Sequence, residues 1–210
     1  GEVANDRPDL IDRVFRMKLQ ALLDDLLHQW VFGRPVGAIY VVEFQKRGLP
    51  QAHNLMILDN EDKPRTVEDY DRFVSAELPD PDTQPELHGI VTKCMLHGPC
   101  GTSHPNAPCM VEGKCSKNYP KPLREETADA DDGYPLYRRR AGCQYVRTDG
   151  SPFTFDNQWV VPHNPWLSLK YQCHVHVEVC TSISAVKYLY KYVYKWHDRA
   201  LVSVERVDVV

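Results

Sequence analysis

The chain has 210 residues, 42% apolar and 26% charged, enough to bury a sizeable core as one domain or a domain with an insert. No secretion signal is read and no apolar run is long enough to cross a bilayer, so no membrane role is expected. The net charge of −4 excludes a uniformly basic nucleic-acid binder, but it is uneven: ten Asp/Glu against three Lys/Arg from Ile57 to His88, nine Lys/Arg against four Asp/Glu from Tyr134 to Arg199. The second stretch leaves a local phosphate-binding surface open.

In chain order, Asp6-Arg-Pro-Asp9 starts a helix, with Asp near the cap and Pro8 in the first turn. Leu10, Val14, Leu22 and Leu26, with Phe15, Leu19 and Leu23 beside them, predict an amphipathic helix to about Trp30. Ala38 to Gln45 reads as a strand rich in β-branched and aromatic residues, and Gln51 to Leu58 as its hairpin partner across a Lys46–Pro50 turn. Thr66 caps a short helix with Glu68 to Asp71 in its first turns. Leu78–Pro85 is a loop, and Glu125–Gly133 is acidic, poor in apolar residues and expected to be mobile. Tyr137–Cys143, Gln158–Pro162 and Lys170–Cys180 are candidate strands. The elements mix without a βαβ rhythm, so the expected class is α+β with an antiparallel sheet.

Alternation along the hairpin puts Gln51 and His53 on one face, and Glu43 and Gln45 reach that face from the neighbouring strand. A carboxylate, an imidazole and an amide oxygen converging there can hold one divalent cation, although ordinary half-exposed strand positions explain the same pattern. Seven cysteines, four of them in Cys94-x5-Cys100-x8-Cys109-x5-Cys115, favour intracellular thiols and metal over a disulfide framework. The expected structural Zn²⁺ site uses Cys94, Cys100, Cys109 and Cys115, with His97 a possible substitute for Cys94. His174-Val-His176, with Glu178 on the same strand face, is a rival metal site. Wound as a helix, Ser184–Lys195 separates an apolar stripe of Val186, Leu189, Tyr190 and Val193 from a face carrying Tyr188, Lys191, Tyr192 and Lys195. A phenol beside ammonium groups is a candidate nucleophile, because the cations favour phenolate and would balance an attacked phosphate.

Glu43-Phe-Gln-Lys-Arg-Gly-Leu-Pro-Gln-Ala-His53, Val161-Pro-His-Asn-Pro-Trp166, Val177-Glu-Val-Cys180 and Lys187-Tyr-Leu-Tyr-Lys-Tyr-Val-Tyr-Lys195 together resemble the replication-initiator nuclease domain of Helitron transposases, within the HUH endonuclease superfamily. The resemblance runs from about Arg7 to Arg206. It implies a Mg²⁺- or Mn²⁺-dependent nuclease that cuts single-stranded DNA and joins it through tyrosine, working in the nucleus, with a helicase domain following in the full-length protein. It places the paired-histidine motif on Gln51 and His53 and the two-tyrosine motif on Tyr188 and Tyr192, with Glu43 or Gln45 as third ligand. Gln51 departs from the usual histidine, and Trp196 stands where a glycine commonly closes the tyrosine helix. Gln51 therefore leaves open a cleavage-deficient domain that still binds single-stranded DNA.

Lys191 and Lys195 are expected to anchor phosphates. Lys46, Arg47, Arg138, Arg139 and Lys187 are candidate DNA contacts, and Trp159, Trp166 and Trp196 are candidate base-stacking platforms. The expected architecture is a central antiparallel sheet of about five strands with helices on one face and an appended zinc-bound lobe. Residues 1–92 and 134–210 would form the nuclease and 93–133 the Cys-rich insert with the acidic loop.

Overall fold

The computed structural model describes residues 7–44, 49–131, 133–148, 152–181 and, for the backbone alone, 201–205. In chain order its elements are α1 (Pro8–Leu27), β1 (Pro35–Phe44), β2 (Pro50–Leu58), α2 (Val67–Phe73), α3 (Pro85–Cys94), β3 (Met110–Val111), β4 (Lys114–Cys115), β5 (Gln144–Arg147), β6 (Phe153–Asp156), α4 (Pro165–Tyr171) and β7 (Leu201–Glu205). A single 3-10 turn, Asn157–Trp159, follows β6. The chain divides into two compact units, residues 1–64 with 182–210 and residues 65–181. Within the second unit Phe155 and Trp159 close the same core as Cys100 and Cys115. Among the described residues no helix is long and apolar enough to cross a membrane.

In the first unit Leu23, Leu26 and Leu27 of α1 bury against Ala38, with Leu22, Tyr40 and Met56 packed around them. The predicted stripe is buried only in the C-terminal half of α1; Leu10, Val14 and Met17 are exposed. Pro8 occupies the first turn as expected, but the cap position is Arg7, whose guanidinium binds the Asp9 carboxylate at 2.9 Å. β1 and β2 form the predicted hairpin, with Glu43 opposite Gln51 and Val41 opposite His53. Since Ala38, Tyr40 and Met56 face α1, the period of two puts Val41, Glu43, Gln51 and His53 on the opposite face. β7 pairs antiparallel with β1 and completes a three-stranded sheet in the order β2-β1-β7. The other described sheets, β3–β4 and β5–β6, have two strands each. The protein is α+β with small antiparallel sheets; among the described residues the largest has three strands, and the expected central sheet of about five is not seen.

In the second unit Thr66 caps α2 as predicted, its hydroxyl accepting from the Asp69 amide while Asp69 accepts from the Thr66 amide. The stretch from His88 to Lys93 belongs to α3. Its Leu87 and Val91 lie one helical turn apart and bury against Leu78, Met95, Val160 and Val161. Two asparagines tie loops to this core. Asn157 accepts from the Leu78 amide and donates to the Arg140 carbonyl, and Asn164 caps α4 while donating to the Phe73 carbonyl.

Of the candidate strands, Tyr137–Cys143 is irregular, touching its neighbour through the Arg124–Arg139 bridge. Lys170–Cys180 holds the end of α4, closed by Gln172 in the left-handed region, and then extended chain. The acidic segment is pinned instead of loose. Thr127 is buried and donates to Asp71, the Arg138 amide donates to Thr127, and Tyr70 donates to Asp129.

His163 is fully buried between these loops, with Nδ1 3.1 Å from the Val161 carbonyl and Nε2 without a hydrogen-bond partner. Burial pushes its pKa down to about 4. An unfolded chain takes up a proton at this residue near pH 6.5, whereas the folded chain does so only near pH 4. Stability should therefore fall between those values by roughly 3 kcal/mol and be unaffected above them. Urea midpoints at pH 7.5 and 4.5 test this: His163→Phe should show a smaller acid-induced loss than the wild type.

Candidate functional site

The Cys-rich segment converges on one point. His97, Cys100, Cys109 and Cys115 bring one ligand atom each within 4.8 Å of one another, and His97 Nε2 lies 3.3 Å from Cys115 Sγ. A tetrahedral zinc centre, with Zn–S about 2.3 Å and Zn–N about 2.0 Å, separates its ligands by roughly 3.5–3.8 Å. The cluster therefore can hold a metal such as zinc with little movement. Cys94, the first member of the expected set, is not part of it. It ends α3, packs against the Leu87–Val91 core, and its carbonyl lies 2.9 Å from His174 Nδ1. His97 takes its place, so the ligand pattern is His-x2-Cys-x8-Cys-x5-Cys.

Local chemistry explains how the four meet. Met95 closes α3 and is fully buried, and the His97 amide donates to the Trp159 carbonyl. Gly98 then turns at φ +98°, where an added Cβ would lie 3.1 Å from the Trp159 ring; only glycine fits there. Cys109 and Cys115 flank a hairpin whose two-residue turn, Glu112-Gly113, has positive φ at both positions, as a type I′ turn requires. The Phe153, Phe155 and Trp159 rings meet edge to face beneath Cys100 and Cys115.

The electrostatics suit a metal. Burial, with Cys109 and Cys115 adjacent, pushes the Cys100 thiol up to about 12, and burial raises Cys109 as well. Burial acts upward on Cys115 too, yet its pKa lies below the usual thiol range, because the Tyr119 and Lys117 amides donate to the sulfur. Burial, helped by Lys117 and Lys121, holds His97 below the ordinary imidazole range, which favours the neutral, metal-binding form. Its ring stacks on Tyr119 with centroids 4.1 Å apart.

On the first unit's sheet, His53 Nε2 lies 3.3 Å from Glu43 Oε1, with both side chains largely buried. Gln51 stands opposite Glu43 in register on the same face. Glu43, Gln51 and His53 are thus brought together as the strand alternation implied. Gln45, Lys46, Arg47, Lys187, Tyr188, Lys191, Tyr192, Lys195 and Trp196 lie outside the described residues.

The rival histidine site does not close: His176 Nε2 pairs with Glu178 Oε1 at 2.9 Å while His174 turns to the Cys94 carbonyl. Arg139 is a correction to its expected DNA-contact role. It is buried, and Nη1 donates to the carbonyls of Asn157, Val160 and Ala76 at 2.6, 2.7 and 3.4 Å. Arg138 lies between Asp71 and Glu77 at 3.3 and 3.4 Å, and Arg140 meets Glu77 through two side-chain bonds. Trp159 is a core residue, whereas Trp166 is 45% exposed with the Lys170 ammonium 4.9 Å above its ring.

No curated protein matches the chain. Residues 1–56, which hold α1, β1 and the Glu43–His53 pair, are similar to the family described as Helitron helicase-like domain at N-terminus.

Proposed function

We propose that the chain is a metal-dependent tyrosine endonuclease and strand transferase that nicks and joins single-stranded DNA at transposon ends during rolling-circle transposition. The observation that carries this reading is the Glu43–His53 pair beside Gln51, in the part of the chain similar to the Helitron N-terminal domain. A carboxylate oxygen, an imidazole nitrogen and an amide oxygen on one sheet face are donors suited to Mg²⁺ or Mn²⁺, with coordination positions over for phosphate oxygens. A bound cation would polarise the scissile phosphate and neutralise charge developing on it.

Tyr188 or Tyr192 attacks the phosphorus in line. The new P–O bond to the phenol forms as the P–O3′ bond breaks, the phenol loses its proton, and the departing 3′ oxygen gains one. A 5′-phosphotyrosine and a free 3′-OH result, and attack by a 3′-OH on the phosphotyrosine rejoins strands with no external energy. Lys191 and Lys195 favour phenolate and anchor phosphates, and Trp166 offers a stacking face. The sheet β2-β1-β7 belongs to a central sheet of about five strands. A helicase domain follows in the full-length protein, which works in the nucleus.

The test is a 3′-labelled single-stranded oligonucleotide pool incubated with and without Mn²⁺, with products run on a denaturing protein gel. A covalent labelled adduct is expected with metal, reduced by Tyr188→Phe or Tyr192→Phe and lowered on the order of 100-fold by His53→Ala. An adduct that forms equally well in EDTA would sink the reading. Gln51 motivates a second one, a cleavage-deficient domain that binds single-stranded DNA. It is favoured if only Gln51→His forms the adduct.

A further inference from the structure

The Cys/His lobe has its own charge. Between Lys93 and Arg124 the sequence holds five Lys/Arg and one acidic residue, Glu112, in a chain whose net charge is −4. A bound Zn²⁺ with three thiolates and a neutral imidazole contributes −1, which leaves the lobe positive. Ser116-Lys117-Asn118 projects from the metal ligand Cys115 as an exposed turn, with Asn118 at φ +55°. The Ser116 and Asn118 amides donate to the Cys109 and Cys115 carbonyls and the Lys117 amide to the Cys115 sulfur, so its side chains are what it presents outward. Lys114 precedes it on β4, also exposed, and among the described residues no carboxylate pairs with Lys114 or Lys117. Lys121 lies close by: its ammonium sits 5.3 Å from the centre of the Tyr119 ring, which stacks on the ligand His97.

The geometry points to this turn as a second docking surface for the phosphodiester backbone of single-stranded DNA, with Lys114, Lys117 and Lys121 contacting phosphates and Ser116 and Asn118 donating to them. The choice of DNA rests on the function proposed above; the phosphate chemistry does not. Cations on a rigid, metal-pinned turn lose little freedom on binding, and their contribution is sequence-independent and salt-sensitive. Lys114 and Lys117 are the residues to vary, because Lys121 also covers a ring.

The experiment measures anisotropy of a fluorescein-labelled dT20 strand against salt, without added Mg²⁺ or Mn²⁺, on the Tyr188→Phe/Tyr192→Phe protein, so that cleavage plays no part. Adding Lys114→Ala and Lys117→Ala should lower the slope of log K against log[salt] by about 1.4 and weaken binding roughly 10- to 25-fold at 0.1 M salt. Zinc content, measured on the same samples, should stay at one per chain. An unchanged slope overturns the inference while leaving the nuclease reading intact. So does a loss of zinc with no change in slope, which would make the lysines mere counter-charges of the metal. Failure of the starting protein to bind dT20 at all overturns both.

Discussion

Removal of the metal from His97, Cys100, Cys109 and Cys115 is expected to collapse the lobe that Met110–Cys115 and the Ser116–Asn118 turn build. Without the ion the four groups are a half-buried imidazole and three thiols, two of them raised by burial, and the short β3–β4 hairpin is too small to be stable alone. Structural zinc contributes on the order of 10 kcal/mol of apparent binding energy in small sites, and that energy is folding energy. The Phe153, Phe155 and Trp159 rings retain part of the core, so the expected signature is a lost lobe within a protein that stays folded elsewhere. Protein purified without chelator should contain one zinc per chain. A mercurial reagent should release it, with loss of near-ultraviolet dichroism from Trp159, which packs against Cys100 and Cys115.

Acid should do the same. Loading the site expels two to three thiol protons, so affinity should rise by about two to three decades per pH unit below the thiol range. The variants assign the ligands: Cys100→Ser should abolish zinc binding, His97→Ala should weaken it, and Cys94→Ser should leave it stoichiometric. Loss of zinc in Cys94→Ser with retention in His97→Ala would restore the four-cysteine set.

That ligand exchange shows what sequence spacing can and cannot carry. Four cysteines in a stretch rich in glycine and proline were legible as a metal lobe, because such a segment has little core of its own. Which four atoms meet was not legible, since it depends on where α3 ends. Cys94 is the last helical residue and turns to the Leu87–Val91 core, whereas His97 follows the exit and reaches Cys115. A His-x2-Cys spacing at His97–Cys100 was the available signal. The Glu43–His53 pair was legible for the opposite reason: a period of two survives any detail of the turn.

α1 misled because an apolar stripe records what can be buried, and only its C-terminal half finds the sheet. β7 pairs with β1 across more than 150 residues of sequence, a contact that no local pattern announces. In Tyr137-Arg-Arg-Arg140 the sequence marks Arg138 and Arg139 alike as candidate DNA contacts, and the structure gives each arginine a different role.

Arg139→Met is expected to destabilise the second unit by about 3 kcal/mol or more in urea unfolding. Arg139 is 4% exposed and its Nη1 gathers the carbonyls of Asn157 and Val160, from one turn, and of Ala76, from a separate segment. Burial acts against its charge, and Tyr119 and Glu178 offset part of that cost. Methionine removes the buried cation, which is a gain, but takes the Arg139 donor from the Asn157 carbonyl and leaves the Val160 carbonyl only the long 3.5 Å bond from the Tyr119 hydroxyl. A carbonyl buried without a donor costs roughly 1–3 kcal/mol, and the Glu178 charge, still paired with His176, loses a favourable cationic neighbour as well. The losses outweigh the gain because two of the three bonds are short and link the irregular Tyr137–Cys143 segment to the turn that carries Trp159. Arg139→Lys keeps the charge, but its shorter side chain does not bring the ammonium to the Nη1 position, so an intermediate loss is expected. Arg138→Ala, more exposed and shared between two carboxylates, should cost under about 1 kcal/mol. If Arg139→Met instead left stability within 1 kcal/mol of the wild type and weakened single-stranded DNA binding, the buried-staple role would fail and the phosphate-contact role read from the sequence would stand.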